Sequence, residues 1–181
     1  MVQIVCAALL FTSPLVAQSN FLAASSLYDD SPREWLILTE NDSFELHESS
    51  LRLKWPFRND PSEWLVEHYL DYFAIRQLNN RYPILWEIRG PNEVVTIRQK
   101  WRNDVNIWVI QYRDMNITWQ TLHTNNFEAW FFEISEENFF ELWTRYEFDV
   151  RDWDINDQTQ NIPDIVKIAA LFTSLSLHLP R

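Results

Sequence analysis

Residues 83–134 read PILWEIRGPNEVVTIRQKWRNDVNIWVIQYRDMNITWQTLHTNNFEAWFFEI. Clusters of turn-forming residues punctuate this stretch: Gly90-Pro91-Asn92, Arg102-Asn103-Asp104, Arg113-Asp114-Met115-Asn116 and Thr124-Asn125-Asn126. Asn and Asp bond their own backbone and tolerate left-handed conformation, proline presets φ, and glycine accepts either sign of φ. Between the clusters lie runs rich in Ile, Val, Trp, Tyr, Phe and Thr, the residues that suit a pleated, half-buried surface. The spacing predicts five strands, 83–89, 93–101, 105–112, 117–123 and 127–134, joined as an antiparallel meander.

Parity tests that reading, because residues paired across a hairpin share a face and a one-residue slip flips them all. Two-residue loops at Pro91-Asn92, Asn103-Asp104, Asp114-Met115 and Asn125-Asn126 gather one apolar face. It holds Ile84, Trp86, Ile88, Val95, Ile97, Trp101, Trp108, Ile110, Tyr112, Ile117, Trp119, Trp130, Phe132 and Ile134. The other face carries Glu87, Arg89, Thr96, Arg98, Lys100, Gln111, Arg113, Thr118, Gln120 and Glu133, diluted by Ile107, Val109, Leu122 and Phe131. Five indoles on one side could form a platform for sugars or bases. A contiguous exposed patch of that size is a liability for a folded chain, so the reading adopted is a core face.

Helices are expected to cover it. Asp60-Pro61-Ser62-Glu63 has the order of a helix start, an acid, proline at the first turn and Glu close behind. The segment 61–78 then places Leu65, Val66, Tyr69, Leu70, Tyr72 and Phe73 on one stripe. A second helix is expected over 136–148, from Phe139, Phe140, Trp143 and Tyr146. A third begins near Pro163 with Ile165, Ile168, Ala169, Leu171, Phe172 and Leu175, apolar nearly all round and therefore buried or covered by a partner. Residues 35–55 alternate enough for two or three further strands. Ser31-Pro32-Arg33-Glu34-Trp35-Leu36 echoes Asp60-Pro61-Ser62-Glu63-Trp64-Leu65; with nothing else recurring at that period, the pair reads as two chain-entry signals. The fold class expected is α+β: a meander of about five strands with helices packed on its Trp-rich face.

The single glycine in 181 residues excludes glycine-rich phosphate loops and dinucleotide fingerprints. Twenty-six acids against 15 bases disfavour nonspecific binding to nucleic acid or anionic membrane. Cys6 is the only cysteine, so there is no disulfide framework or zinc cluster. Residues 1–26 form an apolar N-terminal segment with the small-residue features of a signal peptide around Ala17-Gln18-Ser19, but no base precedes Arg33. That run is short for a stable membrane span. Export and a cytoplasmic location are both compatible with it, and residues 27–181 are expected to form one domain.

Candidate sites are sparse. His68 with Asp71 could orient an imidazole as a general base, and His123 ends a strand beside a turn. Arg89, Arg98, Lys100 and Arg113 could gather into a basic patch on the polar sheet face. Asp152-Trp153-Asp154-Ile155-Asn156-Asp157 begins like a calcium loop, but Asp157 stands where glycine is needed and Pro163 where a bidentate Glu is needed. A looser Ca²⁺ site would use Asp149, Asp152, Asp154 and Asp157; otherwise no cofactor is expected. From Glu133 to Asp164 ten acids accompany two bases, a surface suited to a basic protein partner. The function expected is a non-enzymatic binding protein that docks a protein partner through this acidic segment or the polar sheet face. The alternatives are a small hydrolase or lyase with a His/Asp pocket, and an exported cation- or glycan-binding domain.

Overall fold

The period-two pattern does not stop at residue 134. In the computed structural model, which describes residues 18–28, 31–58 and 60–178, it runs through almost the whole chain. Twelve strands result: β1 Asn20–Tyr28, β2 Ser31–Glu40, β3 Leu46–Leu53, β4 Glu63–His68, β5 Asp71–Asn79, β6 Leu85–Arg89, β7 Val94–Trp101, β8 Asp104–Tyr112, β9 Met115–His123, β10 Asn126–Ser135, β11 Asn138–Tyr146 and β12 Asp149–Asp157. Each pairs antiparallel with its sequence neighbours, and β1 pairs with β12 to close a barrel. One helix, α1 Asp164–Ser176, follows.

The α+β class is therefore overturned. Residues 61–78 are not helix but the hairpin β4–β5. The stripe that suggested a helix is two alternating runs: Trp64, Val66 and His68 face inward on β4, and Phe73 and Ile75 on β5. Asp60 caps no helix; its Oδ1 accepts the Ser62 N–H at 3.0 Å to form a turn. Tyr69, with φ of 53°, reverses the chain where the helical stripe was expected to continue. Residues 136–148 likewise fold as a turn at Glu136-Glu137 followed by β11, with Phe140 and Leu142 inside. The helix near Pro163 does form. Every residue from Ile165 to Leu175 is buried.

Geometry explains why it is buried on all sides. A barrel of about eight strands is filled by its own side chains, and more strands open a lumen. Twelve strands leave room for a helix about 10 Å across. α1 occupies it, packing Phe172 edge-on against Trp64 and Trp86 and offering Ser174 Oγ to the Trp119 indole N–H at 3.0 Å. Its N-terminus lies at the end of the barrel formed by the β2–β3, β4–β5 and β6–β7 turns, here the entry end. The opposite end is the exit end.

Residues 83–134 become β6–β10, and most of the expected inner face is inside. The turns at Arg102-Asn103, Arg113-Asp114 and Thr124-Asn125 each fall one residue earlier than anticipated. Such an offset moves register by two residues and leaves every side chain on its face. Trp101 is the exception among the indoles. Register shifts between Gln99 and Trp101; Gln99 is buried and Trp101 is 57% exposed. Ile134, at the end of β10, is 50% exposed.

The Ser31 and Asp60 echoes prove to be two copies of a larger repeat. Trp35, Trp64, Trp86, Trp108, Trp130 and Trp153 each sit near the start of an even-numbered strand, and all are buried. Five of these indoles donate to the carbonyl three residues earlier: Pro32, Pro61, Val105, Phe127 and Val150, at 2.9–3.0 Å. The unit is one hairpin, and its indole packs inside the barrel, in five of the six copies with its N–H satisfied locally.

A side chain at Gly90 has no room. A Cβ there would stand 2.7 Å from the Phe73 ring. Gly90→Ala is expected to destabilise by about 1–3 kcal/mol through overpacking, read as a lower urea midpoint; an unchanged midpoint would show that the ring moves aside freely.

The outer wall carries exposed charges such as Arg52, Glu67, Arg76 and Arg98, where a membrane-spanning barrel carries an apolar band. Among the described residues no helix is long and apolar enough to cross a membrane. Cys6 and the apolar run before Gln18 lie outside the described residues, whereas Ala23 to Ser26 belong to β1.

Candidate functional site

An apolar helix that carries one lysine must give that charge a partner. Lys167, on the first turns of α1, is fully buried. Its Nζ donates to Ser19 O at 2.6 Å and to Asp157 Oδ2 at 2.8 Å, and lies 3.7 Å from Asp164 Oδ1. Asp157 Oδ2 also accepts the Phe21 N–H at 3.1 Å. Asp164 Oδ2 accepts from Ser19 Oγ at 2.7 Å and from His68 Nε2 at 3.1 Å. Ser49 Oγ lies 2.7 Å from His68 Nδ1. Five elements or segments thus meet at the entry end: the chain before β1, β3, the end of β4, the end of β12 and α1.

Ser49, His68 and Asp164 have the residue types and contacts of a hydrolytic triad. Access decides against that chemistry. Ser49 is 1% and His68 4% exposed, and the imidazole stacks on Phe21 with ring centroids 5.6 Å apart. A substrate carbonyl could not reach Ser49 Oγ without opening the core. The cluster serves to pin the helix entrance to the wall.

His68 is thus drawn to Asp164 rather than to Asp71, which is exposed at the β4–β5 turn. His123 is exposed at the end of β9, far along the wall from His68. The four candidate cations are spread along the wall and do not gather into one patch. Arg89, near the entry end, pairs with Glu87 at 2.6 Å. Arg113, at the β8–β9 turn, lies over the Tyr112 ring at 4.8 Å. Burial, with the bond to Glu93, pushes the Tyr112 hydroxyl up to about 12. Arg98 is exposed midway along β7, and Lys100 approaches Trp101 near the exit end.

The four aspartates lie on a strand instead of a loop. β12 extends them over roughly 26 Å at about 3.3 Å per residue. Asp149 pairs with Arg151, which holds its carboxyl down at about 2. Asp154 pairs with Arg145, Asp157 with Lys167, and Asp152 faces Ser25 across the β1–β12 seam. Among the described residues no three His, Cys, Asp or Glu side chains converge as metal ligands. These pairs take up three of the ten acids between Glu133 and Asp164.

A different surface emerges at the exit end. The β3–β4, β5–β6 and β7–β8 connections are neighbours there, because β4 pairs with β5 and β6 with β7. They present Trp55, Phe57, Tyr82 and Trp101, exposed by 43%, 102%, 48% and 57%. Interleaved are Lys54, Arg58, Arg81, Lys100 and Arg102. Lys54 and Arg58 approach the Trp55 ring at 5.3 and 5.0 Å, and Lys100 the Trp101 ring at 6.0 Å. Lys54 also pairs with Glu63 at 2.6 Å, and together with the Trp55 N–H it holds that carboxyl below its usual range. The sequence marks this surface only as breaks between strands; its members come from three loops and share no motif. No protein-family model, curated protein or solved structure matches this chain.

Proposed function

We propose that the protein is a non-enzymatic binding module that docks an acidic protein segment on its exit-end rim. The observation that carries this reading is the coincidence of four exposed aromatic rings and five bases on three adjacent hairpins of a chain whose net charge is −11. Aromatic and arginine side chains are the groups that dominate protein interfaces. The barrel interior is taken up by α1 and by indoles, which leaves the surface as the place for recognition. The net negative charge favours a short acidic segment over a long polyanion, which would feel the repulsion of the whole molecule.

The test is fluorescence anisotropy with labelled acidic peptides that carry one or two aromatic residues, beside a single-stranded oligonucleotide of equal charge. Peptide binding is expected near about 1–10 μM and to weaken as salt rises. The charge reversal Arg81→Glu with Arg102→Glu is expected to weaken it by about tenfold or more, since each such contact at a rim contributes on the order of 1 kcal/mol. Tighter capture of the oligonucleotide would replace the protein partner with a nucleic acid. Absence of binding to both probes would remove the rim as an interaction surface.

A further inference from the structure

The entry end holds a cavity of about 460 Å³, within the size range of small-molecule sites. Its lining is unlike that of an apolar ligand pocket. Gln18, Asn20, Asp42, Gln158, Gln160 and Asn161 contribute to its wall, with the Lys167–Asp157 pair at its base. We propose that this cavity is a carbohydrate-binding site, independent of the rim at the other end.

Three observations converge on that ligand class. The first is the donor set. Side-chain amides both donate and accept, as sugar hydroxyls do; Asn20, Gln160, Asn161 and the Gln158 side-chain carbonyl offer these groups, whereas Gln18 is held by Thr159 and Asn161. A phosphate would meet Asp42 and Asp157 and find Lys167 already held by Asp157 and Ser19 O. Among the described residues a metal ion would find no cluster of three ligands. A neutral polyol meets no such conflict.

The second is preorganisation. Gln18 Nε2 donates to Thr159 O at 2.7 Å and to Thr159 Oγ1 at 3.1 Å, while Gln18 Oε1 accepts the Asn161 N–H at 2.9 Å. Asn138 clasps Gln160 from the far side: Nδ2 donates to its carbonyl at 3.3 Å and Oδ1 accepts its N–H at 3.2 Å. Asp157 Oδ1 accepts from Thr159 N and Oγ1 at 3.0 and 2.6 Å. A wall fixed before the ligand arrives loses little entropy on binding.

The third is Phe44. It shares the β2–β3 turn with Asp42, has φ of 61°, and is 82% exposed. Left-handed backbone disfavours a bulky residue, and a ring so exposed gains little packing in return. Asn41 Oδ1 holds the turn by accepting from Ser43 N at 2.9 Å and Glu45 N at 3.0 Å. Phe44 is not part of the lining itself; the apolar C–H face of a pyranose would lie against this ring, two residues along the turn from the lining Asp42, and its hydroxyls against the amides.

Saturation-transfer NMR on the full chain, with glucose, galactose, mannose, N-acetylglucosamine and their disaccharides as probes, tests the site. At least one probe is expected to bind saturably with Kd of about 1–10 mM. Phe44→Ala and Gln158→Ala, both at exposed positions, are each expected to weaken it by about fivefold or more, corresponding to loss of one stacking or hydrogen-bonding contact. Unchanged thermal unfolding of the two variants would assign the loss to the site itself. No saturable transfer from any probe, or binding that survives both substitutions, would overturn the proposal.

Discussion

Lys167→Ala is expected to lower the free energy of unfolding by about 3–5 kcal/mol, because it strips a buried carboxylate of its counter-charge. Asp157 is itself buried, and its Oδ2 would be left with the Phe21 N–H alone. The Ser19 carbonyl would lose its 2.6 Å donor. Urea unfolding followed by tryptophan fluorescence reads the effect. The double variant Lys167→Met with Asp157→Asn removes both charges and keeps an acceptor for Phe21, so it is expected to be more stable than Lys167→Ala despite carrying two changes. Non-additivity of that sign marks a coupled pair. A loss below about 1 kcal/mol for Lys167→Ala would instead place the ammonium in contact with water, where ion pairs contribute little.

Trp119→Ala is expected to cost about 3–5 kcal/mol, the range for removing a large aromatic from a core. Its indole is fully buried, stacks on Trp130 with centroids 5.9 Å apart, and donates to Ser174 Oγ on α1. The substitution therefore opens a cavity and loosens the helix from the wall. Trp101→Ala, on the exposed rim, is expected to stay within about 0.5 kcal/mol while weakening peptide binding. The contrast separates an indole that builds the barrel from one that faces outward. Equal costs at the two positions would contradict the register.

Which parts of this architecture the residues disclosed depends on periodicity. In β6–β10 the alternation is clean and the turns carry Asn, Asp, Gly and Pro, so faces could be assigned without knowing turn positions to the residue. In β4–β5 and β11 the same apolar residues also satisfy a helical stripe. A short apolar run bounded by acids does not by itself distinguish the two, and the Asp60-Pro61 signal served a turn. Closure was beyond local pattern, since nothing in β1 or β12 announces that they meet. The hairpin repeat was present throughout as tryptophans at 86, 108 and 130, equally spaced, but only two flanking copies shared enough neighbours to be noticed. For the polar cluster, Lys167 was the available signal: a base on an otherwise apolar helix implies an acid facing it. Ser49 and Ser19 carried none, because each reads as an ordinary strand or loop serine. The rim and the entry cavity are assemblies of distant loops, which no spacing along the chain encodes.

Every strand of the wall is synthesised before the helix that fills it, and the first strand must wait for the twelfth before its outer edge is covered. A nascent chain therefore exposes its indole-lined inner face until α1 emerges, and transiently exposed apolar surface of that kind invites aggregation. A chain stopped short of Asp164 lacks the buried helix that fills the barrel, so it is expected to aggregate or unfold and not to persist as an empty shell.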